Sequence, residues 1–311
     1  MNSHVITILG ASNVDISATS QAPLIAGDSN PGAVRLGFGG VGRNIAENLV
    51  RLLQDVRLIT AYGDDPFAAL LQAHALEIGL DDSMSLQKVR GASSVYICVN
   101  QPDGEMSVAV SDMEICNWIT PEHLMVHWNT ILKSDLVIMD ANLAEDTILY
   151  MAKCCKAPLF AETVSMKKAA RLKSVLSMLH GIKTNQSEAE LLVEFPIRTV
   201  KDAGKAADML QGMGISIVMI TMGSYGALVK YGTECSWMPP MANTLVNTTG
   251  CGDAFFAGAA YAWLSGLDCR TILRNGLGMA ALCAADRNSV ATDVSPQNLA
   301  MYLHNHQEEM R

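Results

Sequence analysis

The chain has 311 residues, half of them hydrophobic and 17% charged, a composition that excludes a disordered or fibrous protein. Its 22 Lys and Arg against 31 Asp and Glu leave a net charge of −9 without any basic run, which argues against nucleic-acid binding. No apolar stretch approaches the roughly 20 residues of a membrane span, so we expect no membrane partner. Residues 1–5 lack signal-peptide features, and eight cysteines without a Cys-x-x-Cys pair are typical of a reducing cytoplasm.

The first half of the chain mixes short β-type runs with two helical patterns. Hydrophobic spacing predicts a strand at Val5–Leu9, a polar and turn-rich stretch at 11–37, a helix from Arg43 and a strand at 57–61. A helix with proline in its first turn follows at Pro66–Glu77. Two extended segments, 93–100 and 106–110, flank an Asp-Gly pair that favours a hairpin.

After residue 116 strands and helices alternate. Strands are predicted at 136–139, 159–161, 181–183 and 215–221, and helices at 144–155, 167–178, 187–193, 199–212, 252–265, 268–286 and 296–307, with little strand near the end. This alternation predicts an α/β fold with a mostly parallel central sheet flanked by helices. No linker divides residues 1–311, so we expect a single domain in which segments 11–37 and 93–115 form a small β-sheet lid.

The strongest functional pattern is the segment 247–253, which opens a predicted helix. Gly250 and Gly252, on either side of Cys251, let backbone N–H groups turn toward one point at a helix N-terminus, where the helix dipole favours an anion. Asp253 at the mouth of such an anion hole can accept a hydroxyl proton during phosphoryl transfer. Taken alone, the same pattern favours an aspartate that merely caps a helix.

A second glycine-rich segment, 37–42, has the spacing of a dinucleotide-binding loop. The context contradicts that interpretation, because a turn-rich stretch precedes the loop and no acidic residue ends the following strand. Gly39 and Gly40 would instead allow a polar ligand to approach the backbone, with Asn44 supplying hydrogen bonds.

Further polar residues follow predicted strands, where ligands bind in open α/β sheets. Asn13 and Asp15, with Asp28 and Asn30 in the next loop, could contact sugar hydroxyls, although each alone is ordinary loop polarity. The Asn185 and Glu188 side chains share a helix face and could organise Mg²⁺ through water, or could be a cap and a surface glutamate. A loop that could hold a nucleotide, or form a plain turn, contains Thr221, Gly223, Ser224 and Gly226.

Taken together and in this order, the motifs resemble the ribokinase-like (PfkB) family of carbohydrate and nucleoside kinases along essentially the whole chain. The resemblance implies a central sheet with a β lid, ATP as phosphoryl donor, Mg²⁺ as cofactor and a homodimer formed through the lid. It also allows a monovalent cation such as K⁺ near Asn247 and the loop 284–291. Asp253 would be the general base, with the amides of 250–252 stabilising the transferred group.

Within the family, segments 28–32, 39–49 and 111–113 are most similar to the pseudouridine kinases. This implies a small-molecule nucleoside, pseudouridine, phosphorylated on its 5′-hydroxyl. Ribose contacts would come from Asn13, Asp15, Gly40 and Asn44. Asp28, Asn30, Asp112 and Met113 would close over the base, and Asn142 lies in a region that contacts the acceptor in some relatives.

The chain departs from the family at Cys251, where alanine is usual, and at Glu162-Thr163, where Asp-Pro is common. A thiol at a helix N-terminus is expected to have a lowered pKa, so alkylation of Cys251 should inactivate the protein and ATP should protect it. Two alternatives remain open: a kinase for another nucleoside or for ribose, and a nucleoside-binding sensor without turnover.

Overall fold

The computed structural model describes residues 3–241 and 244–306, and its strands form three sheets. The strands are β1 (Val5–Leu9), β2 (Asn13–Ser20), β3 (Gly32–Gly39), β4 (Asp55–Ile59), β5 (Ala61–Gly63), β6 (Leu86–Val89), β7 (Val95–Asn100), β8 (Met106–Asp112), β9 (Leu136–Asp140), β10 (Leu159–Glu162), β11 (Gly181–Asn185), β12 (Ile217–Thr221), β13 (Ala227–Tyr231) and β14 (Glu234–Met238).

Ten α-helices accompany these strands within the described residues. They are α1 (Val41–Arg51), α2 (Pro66–Glu77), α3 (Pro121–Ile131), α4 (Glu145–Cys154), α5 (Met166–Ala169), α6 (Gln186–Val193), α7 (Val200–Gly212), α8 (Cys251–Leu264), α9 (Cys269–Ala284) and α10 (Pro296–Asn305). None of the helices in these ranges is long and apolar enough to cross a membrane.

The large sheet has eight strands in the order β14-β13-β12-β11-β10-β9-β1-β4. In this sheet β4, β1, β9, β10, β11 and β12 run parallel, and β13 and β14 add an antiparallel edge. Because side chains alternate across a strand, Ile138 packs into a core with α1, α8 and α9, while Val137 and Met139 pack toward α4, α6 and α7. The predicted α/β fold is confirmed, and the carboxyl ends of the parallel strands share one edge.

The second sheet has four strands in the order β3-β2-β7-β8 and comes from both segments predicted as β-like. Strand β2 pairs antiparallel with β3 and parallel with β7, which pairs antiparallel with β8. Near the start of β2, Val14 of this sheet lies in a small buried hydrophobic cluster with Tyr62 of β5 and Leu71 of α2. Strands β5 and β6 form a separate two-stranded parallel sheet beside it.

The sequence interpretation was wrong in three places. A hairpin of β13 and β14 occupies residues 227–238, for which the sequence predicts no element, and its turn at Gly232 has φ +59°. Residues 170–178 form a 3₁₀-helix after the short α5, since buried residues three apart fit either helix type. The strand predicted at 57–61 splits between β4 and β5, which belong to different sheets. Residue 307, the predicted end of the last helix, lies outside the described residues.

Candidate functional site

A glycine whose backbone leaves no room for a side chain precedes the N-terminus of α8 at the carboxyl edge of the large sheet. Gly250 has φ +82°, and a Cβ built on it would lie 1.9 Å from the carbonyl oxygen of Ser289. The chain therefore turns tightly into α8. Its first-turn N–H groups have no partners within the helix, and that of Cys251 donates to the Thr248 carbonyl at 3.3 Å, so the end of the helix presents N–H groups that favour an anion.

The Asp253 carboxyl lies in the first turn of α8 and faces α1. It is 8% exposed, and its Oδ2 accepts a hydrogen bond of 2.7 Å from Asn44 Nδ2 in the first turn of α1. The helix is capped by Gly250 rather than by this carboxyl, so the simple capping interpretation does not describe Asp253. Burial, followed by the negative charge of Glu162, raises the pKa of Asp253 to about 7.

A buried ion pair that sequence reasoning missed lies beside this carboxyl. Lys183 Nζ on β11 donates to Glu162 Oε1 on β10 at 2.6 Å, and Lys183 is only 6% exposed. A Cβ on Gly252 would lie 2.9 Å from Lys183 Nζ, so the missing side chain lets the ammonium approach the α8 N-terminus. A lysine inside a predicted buried strand was the available signal, because such a charge needs a partner.

Asn185 and Glu188 form a capping box at the start of α6. Asn185 Oδ1 accepts from the Glu188 N–H at 2.9 Å, and Glu188 Oε2 accepts from the Asn185 N–H at 3.0 Å. Glu188 is 3% exposed and also accepts from Thr163 Oγ1, so it is not the surface glutamate of the simpler interpretation. Among the described residues, no group of three or more His, Cys, Asp or Glu side chains could hold a metal ion directly.

At the other side of Asp253, the start of β2 presents a pair of polar side chains. Asn13 Nδ2 donates to Asp15 Oδ1 at 2.6 Å, and burial raises the pKa of Asp15. Asn13 lies opposite Gly39 in the β2–β3 register, and a Cβ on Gly39 would collide with the Asp15 carboxylate. Gly40 has φ +98° and leads into α1, whose Arg43 interacts electrostatically with both Asp15 and Asp253, so the start of β2 lies near the Asp253 carboxyl.

Two further buried charges hold this arrangement, and neither was anticipated from the sequence. Asp140, at the end of β9, accepts from the N–H groups of Ala11 and Gly42 at 2.9 and 3.0 Å. Arg43 donates to the carbonyls of Gly39 and Phe38 at 3.0 and 2.8 Å. These bonds fix the first turn of α1 against β1 and against the end of β3.

Other predicted acceptor residues make hydrogen bonds within their own loops. Asn30 bonds to the backbone of Ile25 and of Asp28, and Asp28 accepts from the Ser29 N–H in the same exposed loop. Asp112 accepts from the Glu114 N–H at 3.3 Å beside the half-buried Met113. Asn142 is buried, and its Oδ1 accepts a short hydrogen bond from Lys168 Nζ. The structure therefore does not bring these four side chains into direct contact with Asp253.

A cavity of about 610 Å³ opens beside the α8 N-terminus and contains all four residues predicted to hold a nucleotide. This volume lies within the range of small-molecule sites. Its polar lining comes from Thr221, Gly223, Ser224, Gly226, Thr248, Cys251 and Gly252, and its apolar lining includes Met241, Leu245, Phe255, Leu277, Ala280 and Ala284.

The segments named for a monovalent cation are adjacent in the structure. Asn247 Nδ2 donates to the Arg287 carbonyl at 3.3 Å, and Asn247 Oδ1 accepts from the Thr249 N–H. The Cys251 thiol has a lowered pKa as expected, but the largest cause is a hydrogen bond with the Cys283 side chain.

Comparison with known proteins gives a consistent result. The model of the pfkB family of carbohydrate kinases matches residues 3–295. The pseudouridine kinase of Escherichia coli K12 is 30% identical over 96% of both chains, and the guanosine-inosine kinase of Exiguobacterium acetylicum is 25% identical over 93% of this chain and 97% of its own. A ribokinase of Arabidopsis thaliana, solved with ribose and ATP, superimposes with a TM-score of 0.85 at 19% identity over 97% of this chain and 99% of that one.

Proposed function

This chain belongs to the pfkB family of carbohydrate kinases, and from that membership we propose that it transfers the γ-phosphoryl group of ATP to the 5′-hydroxyl of pseudouridine. The observation that carries the proposal is the position of Asp253. Its carboxyl, in the first turn of α8, accepts from Asn44 of α1 on one side, while Cys251 and Gly252 of the same turn line the 610 Å³ cavity on the other.

The donor nucleotide is proposed to occupy the cavity. Thr221, Gly223, Ser224 and Gly226 would contact ATP, and the α8 N–H groups at 250–252 would receive its phosphates. The Arabidopsis ribokinase, which has a similar fold and was solved with ATP, supports ATP as the donor. Lys183 would add a positive charge at Gly252, where negative charge develops on the transferred group.

The acceptor ribose is proposed to bind between β2 and α1. Asn13, Asp15, Gly40 and Asn44 would hold its hydroxyls, and Asp253 would take the proton of the 5′-hydroxyl as that oxygen attacks phosphorus. A carboxyl with a pKa near 7 is well matched to this task at neutral pH. Asp28, Asn30, Asp112, Met113 and Asn142 would contribute only if their loops move toward the acceptor.

The residues present fit Mg²⁺ held through water. When bound, the ion would neutralise charge on the ATP phosphates. The carboxylate of Glu188 already accepts three hydrogen bonds from its own neighbourhood, so its role would be to fix Asn185, which is exposed, and to order water around the ion. From the family resemblance alone, we also propose that a monovalent cation binds near Asn247.

The small sheet is proposed to be a lid within a single domain, and its outer face to pair with a second copy. Adjacent strands place Leu36, Ile16, Ile97 and Val110 in one row, and Val110 is 64% exposed. An apolar face of this kind on a sheet is typical of an interaction surface.

Sedimentation of the wild type and of Val110→Lys tests the proposed pairing. We expect the wild type to be a dimer and Val110→Lys to be a monomer. A monomeric wild type would contradict the pairing.

The function is tested by ADP release with a panel of pseudouridine, uridine, ribose, guanosine and inosine. We expect release with pseudouridine and little with uridine, which carries the same ribose. Release with guanosine or ribose alone would establish the alternative of another acceptor, which the similarity to a guanosine-inosine kinase favours. Pseudouridine binding without ADP release from any acceptor would indicate a sensor.

A further inference from the structure

Two free thiols meet at the start of α8. Cys251 is the first residue of that helix, Cys283 lies near the end of α9, and the two side chains are close enough for each thiol to affect the pKa of the other. Each also contacts the turn before Gly250, with Cys251 Sγ 3.7 Å from the Asn247 carbonyl oxygen and Cys283 Sγ 3.6 Å from that of Thr249. Both sulfur atoms therefore contact the same turn, residues 247–249.

The two cysteines differ in access and in acidity. Cys251 lines the 610 Å³ cavity, so a small reagent can reach its sulfur, whereas Cys283 is 1% exposed. The hydrogen bond from Cys283 lowers the pKa of Cys251 and raises that of Cys283. The accessible sulfur is thus the better nucleophile, and the sheltered sulfur stays a thiol in contact with it.

We propose that Cys251 and Cys283 are a redox modification site, at which a peroxide joins the two thiols into a disulfide that stops phosphoryl transfer. The Cys251 thiolate attacks hydrogen peroxide, so that an S–O bond forms, the O–O bond breaks, and hydroxide leaves and is protonated to water. Cys283 then attacks the sulfur of the resulting sulfenic acid: the S–S bond forms, the S–O bond breaks, and the Cys283 proton passes to the departing hydroxyl, which leaves as a second water. Two thiols and one peroxide give one disulfide and two waters.

The disulfide would alter the α8 N-terminus because it removes both S–H donors. The Asn247 and Thr249 carbonyls would lose their thiol partners, and the Ser289 carbonyl would lose its 3.4 Å contact with Cys283 Sγ. Ser289 is also the residue that packs against Gly250. Loss of activity therefore rests on the proposed role of the α8 N–H groups, whereas disulfide formation does not depend on the proposed function.

The test compares wild type with Cys283→Ala and with Cys269→Ala, a matched control because Cys269 is another buried α9 cysteine that contacts a backbone carbonyl. Each reduced protein is treated with equimolar hydrogen peroxide. In wild type and Cys269→Ala we expect a cross-linked 251–283 peptide, a mass lower by two hydrogen atoms, and turnover reduced by about 10²-fold until dithiothreitol is added. Bound ATP should slow all three changes.

The Cys283→Ala variant should instead retain a sulfenic acid on Cys251 that dimedone traps, because no second thiol resolves it. Equal dimedone labelling of Cys251 in all three proteins would overturn the pairing. Oxidation of the exposed Cys154 or Cys235 without a 251–283 cross-link would overturn it as well. A cross-linked protein with unchanged turnover would overturn the effect on catalysis, and the mass measurements stand whether or not pseudouridine is the acceptor.

Discussion

The two sides of Asp253 are built in opposite ways. The side around Asn13 and Asp15 is held by side-chain hydrogen bonds and buried charges, with Arg43 and Asp140 tying backbone segments together. The side facing the cavity is mostly apolar, and its polar groups are hydroxyls and backbone amides. A chain with a net charge of −9 can thus hold phosphates without a basic surface.

Under the proposed function, changes around Asn13 and Asp15, or at Asp253 and the α8 N-terminus, should reduce turnover. Changes in the wall of the 610 Å³ cavity should instead weaken nucleotide binding.

The largest effect is expected from Asp253→Asn. Loss of the proton acceptor should reduce kcat by about 10²–10⁴-fold with little change in KM for the acceptor. Because burial raises the pKa of Asp253, its ionised form opposes folding at neutral pH, so Asn should leave the Tm unchanged or higher. Steady-state kinetics checks the change in kcat and KM, and calorimetry checks the Tm. A kcat near that of the wild type would remove Asp253 from the mechanism.

The next largest effect is expected from Gly250→Ala. The added Cβ collides with the Ser289 carbonyl and must displace the α8 N–H groups, which should reduce kcat by about 10²–10³-fold. Gly266→Ala is the control, because Gly266 also has a positive φ but nothing lies within 4 Å of its Cβ. Equal kinetic losses in the two variants would mean that backbone strain, not the position of the amides, causes the defect.

A smaller and different effect is expected from Ala280→Leu in the cavity wall. The larger side chain fills space proposed for ATP, and KM for ATP should rise by about tenfold, the equivalent of 1.4 kcal/mol, while KM for the acceptor stays constant. Ala300→Leu, at an exposed position of α10, is the matched control. A rise in KM for the acceptor instead would reverse the assignment of the two sides.

The smallest effect is a shift of the pH profile. Asp253 must be ionised to accept a proton, so kcat/KM should fall as the pH drops below about 7, rather than below 3.8. Glu162→Gln removes a negative charge and should move this limb to lower pH, whereas Lys183→Met removes a positive charge and should move it to higher pH. Each shift should be about one pH unit. The exposed Glu194→Gln should move nothing, and shifts of the same sign in both buried variants would contradict the charge coupling.

Much of the fold could be predicted because the signals are local. The helix Pro66–Glu77 was predicted with its observed bounds, since proline marks its first turn and Asp65 caps it. Glycine patterns similarly marked both helix N-termini of the site. The β13–β14 hairpin is not predicted although Gly232 lies at its turn, because most of β14 is exposed and lacks an alternating hydrophobic pattern.

The rest of the site depends on contacts between distant segments. Lys183 and Glu162 are 21 residues apart and meet only because β10 and β11 are neighbours in the sheet. Asp140 reaches the Ala11 N–H across 129 residues of chain, and its role is invisible until β1 and β9 are paired. Cys283 likewise becomes the partner of Cys251 only through the packing of α9 on α8.

The contact between Asn44 and Asp253 joins the first turns of two helices, so the positive ends of two helix dipoles converge on one carboxylate. The carboxylate of Asp140, which accepts the Gly42 N–H, supplies negative charge at α1, and that of Asp253 supplies it at α8. In the proposed mechanism the α8 dipole would lose its counter-charge when Asp253 takes up the hydroxyl proton, and the phosphoryl group arriving at α8 would supply another. Proton transfer and phosphoryl transfer would then be linked by electroneutrality, with the total negative charge between the helices nearly constant along the reaction.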